Sequence, residues 1–197
     1  WCCGSYLEDQ DAFRYNGIFR DVYILQRPKN HIRDFELIPN GESVTVSVEG
    51  GAYLEIFEDD ALLFDGDIGE NFSFTPEKPI LWNAEKPFLY TVRLSREGEV
   101  IERKVGLRKI EISDKYELLI NGVPVKLHGI NRHDTGKLRG WCQSDEELKK
   151  DLSLMKFLNI NCIRTSHYPP TPKFIDMCDE MGFYVVCETD LETHGAC

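Results

Sequence analysis

The chain has 197 residues and a formal net charge of −11, from 23 lysines and arginines against 34 aspartates and glutamates. An acidic surface repels phosphate groups, so we expect neither a nucleic acid nor an anionic membrane as a partner. Hydrophobic residues make up 42% and aromatic residues 11%, which is ordinary globular composition and excludes general disorder. No apolar run approaches the roughly 20 residues that a membrane-spanning helix needs.

The cysteine pattern fits neither a disulfide framework nor a zinc site. The count is odd, no two cysteines are spaced as CxxC, and they stand at positions 2, 3, 142, 162, 178, 187 and 197. Scattered, unpaired cysteines of this kind are typical of reduced thiols. We therefore predict a cytoplasmic protein.

In the first 110 residues, apolar and polar residues alternate in the pattern typical of β-strands. Alternation through Val22, Tyr23 and Ile24 predicts a strand that ends before Pro28. About seven short alternating runs follow between residues 30 and 108, separated by turn dipeptides such as Asn40-Gly41. Short strands at this spacing, without helical periodicity, predict an antiparallel β-sandwich.

From about residue 115 the pattern changes to strands that alternate with helices. Residues 125–130, 161–165 and 183–187 are apolar runs typical of buried strands. Ser144 with Glu147 forms a capping box at the start of the first helix. The second helix begins with Thr171-Pro172 and ends at Gly182, which can adopt a left-handed conformation. A β-α-β-α-β order predicts parallel strands.

Each of these three strands ends in a polar cluster, namely residues 131–134, 164–168 and 188–194. Because the carboxyl ends of parallel strands share one edge of the sheet, we expect His133, His167 and His194 to converge. A histidine at one strand end is commonly a loop residue, but one at each of three strand ends indicates a shared site.

The residue types at this edge suit a neutral, hydroxyl-rich ligand. His133, Arg164 and His167 can hold sugar hydroxyls, and Trp141 and Tyr168 can offer apolar ring faces. The carboxylate and imidazole of Glu192-Thr193-His194 suit Mg²⁺ when other oxygens complete an octahedron, although a hydrogen-bonded loop explains the same residues equally well.

The order of these motifs resembles glycoside hydrolase family 2. Residues 161–169 and 179–186 are similar to the family signature. Further segments resemble the long bacterial β-galactosidases of that family: residues 4–11, 17–22, 81–87, 129–133 and 192–195. The resemblance spans essentially the whole chain.

This resemblance implies a multidomain fold of β plus α/β class. Residues 1–28 would be the end of a jelly-roll sugar-binding domain. Residues 29–110 would be an immunoglobulin-like β-sandwich. Residues 111–197 would be the first three βα units of a (β/α)8 TIM barrel.

The resemblance also implies a retaining β-galactosidase that hydrolyses terminal β-D-galactosides and assembles as a homo-oligomer. Asp11, His133, Arg164 and His167 would bind the substrate; the ion sites would be Mg²⁺ at Glu192 and His194 and Na⁺ at Asp11. In this family both catalytic glutamates lie on later barrel strands, so the 197 residues alone are expected to be inactive. The alternatives are a β-glucuronidase or β-mannosidase of the same family, and a non-catalytic β-sandwich binding module.

Overall fold

The computed structural model describes residues 17–189, whose contacts divide into two units. Ile24–Lys126 form the sandwich unit, and the barrel unit joins residues 17–23 to residues 127–189. Neither of the two helices in the described range has the length and apolar character required to cross a membrane.

Seven antiparallel strands form the body of the sandwich unit, as the alternating runs predict. They are β1 (Phe35–Asn40), β2 (Ser43–Val48), β3 (Ala52–Glu58), β4 (Ala61–Ile68), β5 (Asn71–Phe74), β6 (Tyr90–Arg96) and β7 (Glu99–Val105). One sheet has the order β1-β2-β5 and the other the order β4-β3-β6-β7.

The core of the sandwich unit comes from alternate residues of both sheets. Val44, Val46 and Val48 of β2 are buried, and so are Leu54 and Ile56 of β3. Successive side chains of a strand point to opposite faces, so a period of two places every second residue in the core. Tyr90, Val92 and Leu94 of β6 complete this layer.

The predicted strand at residues 22–25 is wrong. The segment from Gly17 to Asp34 contains no regular strand, and Val22, Tyr23, Ile24 and Leu25 are exposed. Alternation describes a strand only where a neighbouring strand supplies the hydrogen bonds, and no strand of the described residues pairs with this segment.

A short three-stranded sheet follows the sandwich and was not predicted from the sequence. It consists of β8 (Ile110–Ile112), β9 (Leu118–Ile120) and β10 (Val123–Pro124), in the order β10-β9-β8. Asn121 and Gly122 make the turn between β9 and β10, with φ angles of 54° and 77°. Positive φ at both positions is the geometry that favours Asn-Gly in two-residue hairpins.

The barrel unit has the predicted β-α-β-α-β order. Its elements are β11 (Gly129–Arg132), α1 (Asp145–Phe157), β12 (Cys162–Thr165), α2 (Pro172–Met181) and β13 (Tyr184–Cys187). The strands are parallel, in the order β11-β12-β13. The first strand begins at Gly129 rather than at residue 125, so His128 precedes it.

Both helices begin at the predicted capping residues. The Glu147 amide donates to Ser144 Oγ at 3.3 Å, and the Ser144 amide donates to Glu147 Oε2 at 2.8 Å. The Phe174 amide donates to Thr171 Oγ1 at the start of α2. Gly182 ends α2 with φ 77° and ψ 58°, in the left-handed region that a glycine adopts without a steric penalty.

The helices cover one face of the parallel sheet with a compact apolar core. Leu148 and Leu152 of α1 pack with Ile163 of β12 and with Phe174 and Cys178 of α2. Burial raises the pKa of the Cys178 thiol to about 12, so this cysteine is inert at neutral pH.

The capping box of α1 predicts a specific loss of stability. Replacing Ser144 with alanine removes the acceptor for the Glu147 amide, and we expect the helix to lose about 1 kcal/mol. Amide hydrogen exchange of α1 measures this locally. Ser153→Ala is the matched control, because Ser153 is exposed within the same helix and donates only to the Lys149 carbonyl. Equal losses of protection in the two variants would contradict the capping role.

Candidate functional site

The register of the parallel strands places polar residues at one level of the sheet. Asn131 of β11 lies opposite Arg164 of β12, and Arg164 lies opposite Val186 of β13. Their side chains point to the face opposite the helices, because the residues beside them, such as Ile163, pack against α1 and α2. The Arg164 Nη1 atom donates to Asn131 Oδ1 at 3.3 Å. The face of the sheet opposite the helices therefore carries two polar side chains, Asn131 and Arg164, beside Val186.

Glu188 follows β13 directly and connects Arg164 with His167, which lies just after β12. Its Oε1 accepts from Arg164 Nε at 2.5 Å, and its Oε2 lies 3.0 Å from His167 Nδ1. The Glu188 amide donates to Thr165 Oγ1 at 3.1 Å, which fixes the start of the loop. The hydrogen bond from Arg164 is the main cause that holds the pKa of Glu188 below its usual value of 4.5. Glu188 is therefore an anion at neutral pH.

The two histidines at the strand ends meet as predicted. The ring centroids of His133 and His167 are 5.6 Å apart in an edge-to-face arrangement. His167 follows a cis peptide bond with Ser166. Among residues 17–189, the buried Nδ1 atom of His133 has no hydrogen-bond partner. A buried ring nitrogen without a partner costs free energy, so a ligand group or a residue outside this range that bonds to it would be stabilising.

Aromatic rings line the neighbouring part of the barrel unit. Trp141 contacts Tyr168 at a centroid distance of 5.6 Å and Phe19 at 4.6 Å. The guanidinium of Arg20 donates to the Pro169 carbonyl at 2.8 Å, which holds the segment around Phe19 on this loop. The rings of Trp141 and Tyr168 thus contact one another, and their use as faces for a sugar ring stays a prediction.

The opposite face of the same strand end holds a buried ion pair. Arg132 donates to Asp134 and to the Gln143 side-chain oxygen, and its guanidinium lies 4.4 Å from the centre of the Phe174 ring. The Gln143 amide donates to Asp151 of α1 at 3.1 Å. The residues on both sides of His133 are therefore fixed to the helices that cover the sheet.

Tyr168 joins this ion pair to the second strand end. Its hydroxyl accepts from the Asp134 amide at 3.0 Å, and burial raises the pKa of that hydroxyl. The loop that carries His133 is thus hydrogen-bonded to the loop that carries His167. This bond explains why two histidines that are 34 residues apart in sequence keep a fixed separation.

Three of the sequence-predicted site residues are brought together in the structure: His133, Arg164 and His167. The other predicted residues, Asp11, Glu192 and His194, lie outside the described residues. Within the described range, no group of three or more His, Cys, Asp or Glu side chains is placed to hold a metal ion. Sequence reasoning placed Glu188 in the polar cluster at residues 188–194 but assigned it no role, although it directly follows a strand that neighbours the strand of Arg164.

Two family models match the chain. The model described as Glycosyl hydrolases family 2 matches residues 35–108, and the model for its TIM barrel domain matches residues 110–197. The chain therefore belongs to glycosyl hydrolase family 2, and the fold class predicted from the sequence is confirmed.

Similar proteins include several named β-galactosidases. That of Actinobacillus pleuropneumoniae is 43% identical over 207 residues, which cover 100% of this chain and 20% of the relative. That of Staphylococcus xylosus is 41% identical over 204 residues, which cover 98% of this chain and 20% of the relative. The chain thus spans about a fifth of the length of these relatives.

Solved structures with the same fold include β-glucuronidases. The Faecalibacterium prausnitzii enzyme superposes with a TM-score of 0.75 at 28% identity, over 83% of this chain and 28% of the other. The Dictyoglomus thermophilum enzyme gives a TM-score of 0.74 at 26% identity, over 83% of this chain and 30% of the other.

The buried pair behind His133 predicts a strong coupling between Arg132 and Asp134. Arg132→Met leaves the buried Asp134 carboxylate without its counter-charge, so we expect the barrel unit to lose about 3–5 kcal/mol. The double variant, Arg132→Met with Asp134→Asn, should recover part of the lost stability, because it also removes the uncompensated charge. Amide hydrogen exchange in α1 and α2 measures the barrel unit separately from the sandwich unit.

The control for the Arg132 and Asp134 variants is Arg103→Met, which removes the charge of an exposed arginine in the sandwich unit. It should leave the protection of α1 and α2 unchanged. Losses that simply add in the double variant would contradict the coupling.

Proposed function

We propose that the chain is part of a retaining β-galactosidase and that its barrel unit binds the sugar of a terminal β-D-galactoside. One observation carries this proposal: His133, His167 and the Arg164–Glu188 pair meet at one edge of a parallel sheet in a family 2 chain. Relatives named β-galactosidase align along the whole chain, which supports a galactoside as the substrate.

Hydroxyl groups are the chemistry that suits these side chains. A sugar hydroxyl both donates and accepts a hydrogen bond, and an imidazole ring nitrogen can take either part. The ring centroids of His133 and His167 are 5.6 Å apart, so one sugar can span both imidazoles. Arg164 supports the neighbouring His167, whose ring lies within reach of the same ligand.

The charge at this edge favours a neutral sugar over a uronic acid. The Arg164 guanidinium is already paired with the Glu188 carboxylate at 2.5 Å. A uronate would need a cation whose charge is not already neutralised, to offset the loss of water around its own carboxylate. The solved β-glucuronidases make a glucuronide the second candidate, and the Arg164–Glu188 pair is an argument against it.

The hydrolytic step belongs to carboxylic acids that the proposal places elsewhere in the whole protein. A retaining glycosidase needs one acid to protonate the leaving oxygen and a second carboxylate to attack the anomeric carbon. Glu188 does not suit either part, because its two oxygens are held by Arg164 and His167. The chain's own contribution is to bind and orient the sugar.

The ion sites belong to the same proposal. Glu192 and His194 would hold Mg²⁺, and Asp11 would lie at the sugar and hold Na⁺. One carboxylate and one imidazole are an acceptable donor set for Mg²⁺ when oxygens or waters fill the remaining positions. A bound Mg²⁺ would supply positive charge beside the sugar. The cytoplasmic location and the homo-oligomeric state also stay predictions.

Sugar binding by the isolated chain tests the proposal. We expect galactose at about millimolar concentration to shift the ring signals of His133 and His167 in NMR spectra, because both rings lie at the proposed site. His31, which lies in the sandwich unit, is the internal control and should not move. Glucuronate should cause smaller shifts.

Three results would contradict the proposal in different ways. Stronger binding of glucuronate would favour the β-glucuronidase alternative. Shifts confined to the sandwich unit would favour a β-sandwich binding module. Release of nitrophenol from a nitrophenyl β-galactoside, with turnover that persists in Glu192→Gln, would show that the chain holds a complete catalytic centre.

A further inference from the structure

Asn131 has hydrogen-bonding capacity that the contacts of the described residues do not use. It is exposed, and its side chain lies beside Arg164 on the face of the parallel sheet opposite the helices. We propose that Asn131 is a further sugar-binding residue, whose amide NH₂ donates a hydrogen bond to a hydroxyl oxygen of the ligand. This inference rests on the proposed function, because it assigns a new contact to the same sugar site.

The contact with Arg164 decides which way the amide is turned. Asn131 Oδ1 accepts from Arg164 Nη1 at 3.3 Å. A guanidinium carries donors only, so the amide oxygen has to face it; the opposite flip would set N–H groups of both side chains against each other. Because the oxygen and the nitrogen of an amide diverge from one carbon, the NH₂ group of Asn131 points away from the guanidinium.

The NH₂ group of Asn131 has no partner among residues 17–189. It carries two donors, and Asn131 is exposed, so water satisfies them in the free protein. A ligand that displaces this water loses affinity unless it offers an acceptor in its place. A sugar hydroxyl oxygen is such an acceptor.

Strand β11 places this donor beside the two histidines of the site. His133 follows Asn131 by two residues, and two residues advance a strand by about 7 Å. The rings of His133 and His167 are 5.6 Å apart, and Arg164, which holds the Asn131 oxygen, also lies 3.2 Å from the His167 ring. A sugar bound between the imidazoles is therefore within reach of the Asn131 amide.

An uncharged donor complements the other groups at this edge. The Arg164 guanidinium is neutralised by Glu188, and its printed contacts engage Glu188, Asn131 and His167. The amide of Asn131 adds a donor without adding a charge, which suits a neutral hydroxyl group. Asparagine is also uncommon in strands, so its presence in β11 points to a role of the side chain. A role that is limited to holding Arg164 would use only the amide oxygen.

The state of the donors can be measured before any sugar is added. The side-chain NH₂ signal of Asn131, assigned by its loss in Asn131→Asp, should exchange with water as fast as that of the exposed Asn159. The NH₂ group of Asn30, which donates to the Glu97 carboxylate at 2.8 Å, should exchange more slowly. Exchange of Asn131 as slow as that of Asn30 would show that the protein already occupies these donors, and would overturn the proposal.

A cycle between protein and ligand tests the sugar contact in the whole chain. Methyl β-galactoside and its 2-, 3-, 4- and 6-deoxy analogues are titrated into the wild type and Asn131→Ala, and the ring signals of His133 and His167 report binding. We expect Asn131→Ala to weaken binding of the parent sugar by about tenfold. This loss should vanish for the analogue that lacks the contacted hydroxyl. Equal losses for every sugar would overturn the proposal, because an indirect structural effect acts on all of them alike.

Asn131→Asp keeps the contact with Arg164 and inverts the other end of the side chain. One carboxylate oxygen still accepts from Arg164, whereas the second oxygen replaces the NH₂ donor. A sugar with fluorine at the contacted position can accept a hydrogen bond but cannot donate one. Fluorine in place of the hydroxyl should therefore cost about tenfold more affinity in Asn131→Asp than in the wild type. An equal cost in both proteins would contradict a donor at this position.

Asn159→Asp is the matched control for the added charge. Asn159 is exposed just after α1, and its φ of 57° lies in the left-handed region that aspartate also adopts. This variant should bind both sugars as the wild type does. The same discrimination against fluorine in Asn159→Asp would show that charge alone produces the effect, and would contradict the role of Asn131.

The titrations also separate this inference from the proposed function. If methyl β-galactoside shifts neither histidine ring, the proposed function fails and the role of Asn131 fails with it. If both rings shift but no hydroxyl is coupled to Asn131, the proposed function stands and only this inference is overturned.

Discussion

The parallel register of β11, β12 and β13 is the constraint on which the site depends. Each strand pairs residue by residue with its neighbour, so Arg132, Thr165 and Cys187 end at one level. Whatever follows these residues must leave the sheet at the same edge. His133, His167 and Glu188 therefore come together although the chain between them passes through two helices. A slip of one residue would turn Arg164 toward the helices and remove it from the site.

Two arginines on this sheet are each neutralised by a carboxylate, with different consequences. Arg132 points toward the helices, where burial makes its partner Asp134 necessary: an unpaired charge there would be strongly destabilising. Arg164 points to the other face, where its side chain and that of Glu188 are only partly buried. Water screens this second pair, so its contribution to stability is small. Its importance lies in the geometry that it imposes on His167.

Local signals predicted most of the barrel unit. The serine oxygen and the glutamate of the capping box act within one helical turn, and Gly182 ends α2 through its own backbone freedom, so neither depends on distant contacts. The alternating valines of β2 were equally informative, because each second residue enters the core. In these places the local preference and the tertiary structure agree.

The sequence predictions failed where the local structure depends on a partner that is distant along the chain. Residues 22–25 alternate like a strand, but hydrogen bonding to a neighbouring strand decides whether a strand forms. The hairpin at Asn121-Gly122 had a recognisable turn signal, yet its strands of two or three residues are too short for periodicity to show. Glu188 was overlooked because its partners are 21 and 24 residues away along the chain, and only the register of β12 and β13 reveals them.

The hydrogen bonds and charges within the site support the proposal of a neutral, hydroxyl-rich ligand. Three donors of Arg164 already face Glu188, Asn131 and the ring of His167. Glu188 uses one oxygen for each of its two partners. Arg164 and Glu188 thus hold each other and the His167 ring in place. A ligand carboxylate at this edge would approach the anionic Glu188 and be repelled, whereas a neutral hydroxyl group would not. The Arg164–Glu188 pair thus favours a neutral ligand, because the cation at this edge is already neutralised by its own carboxylate.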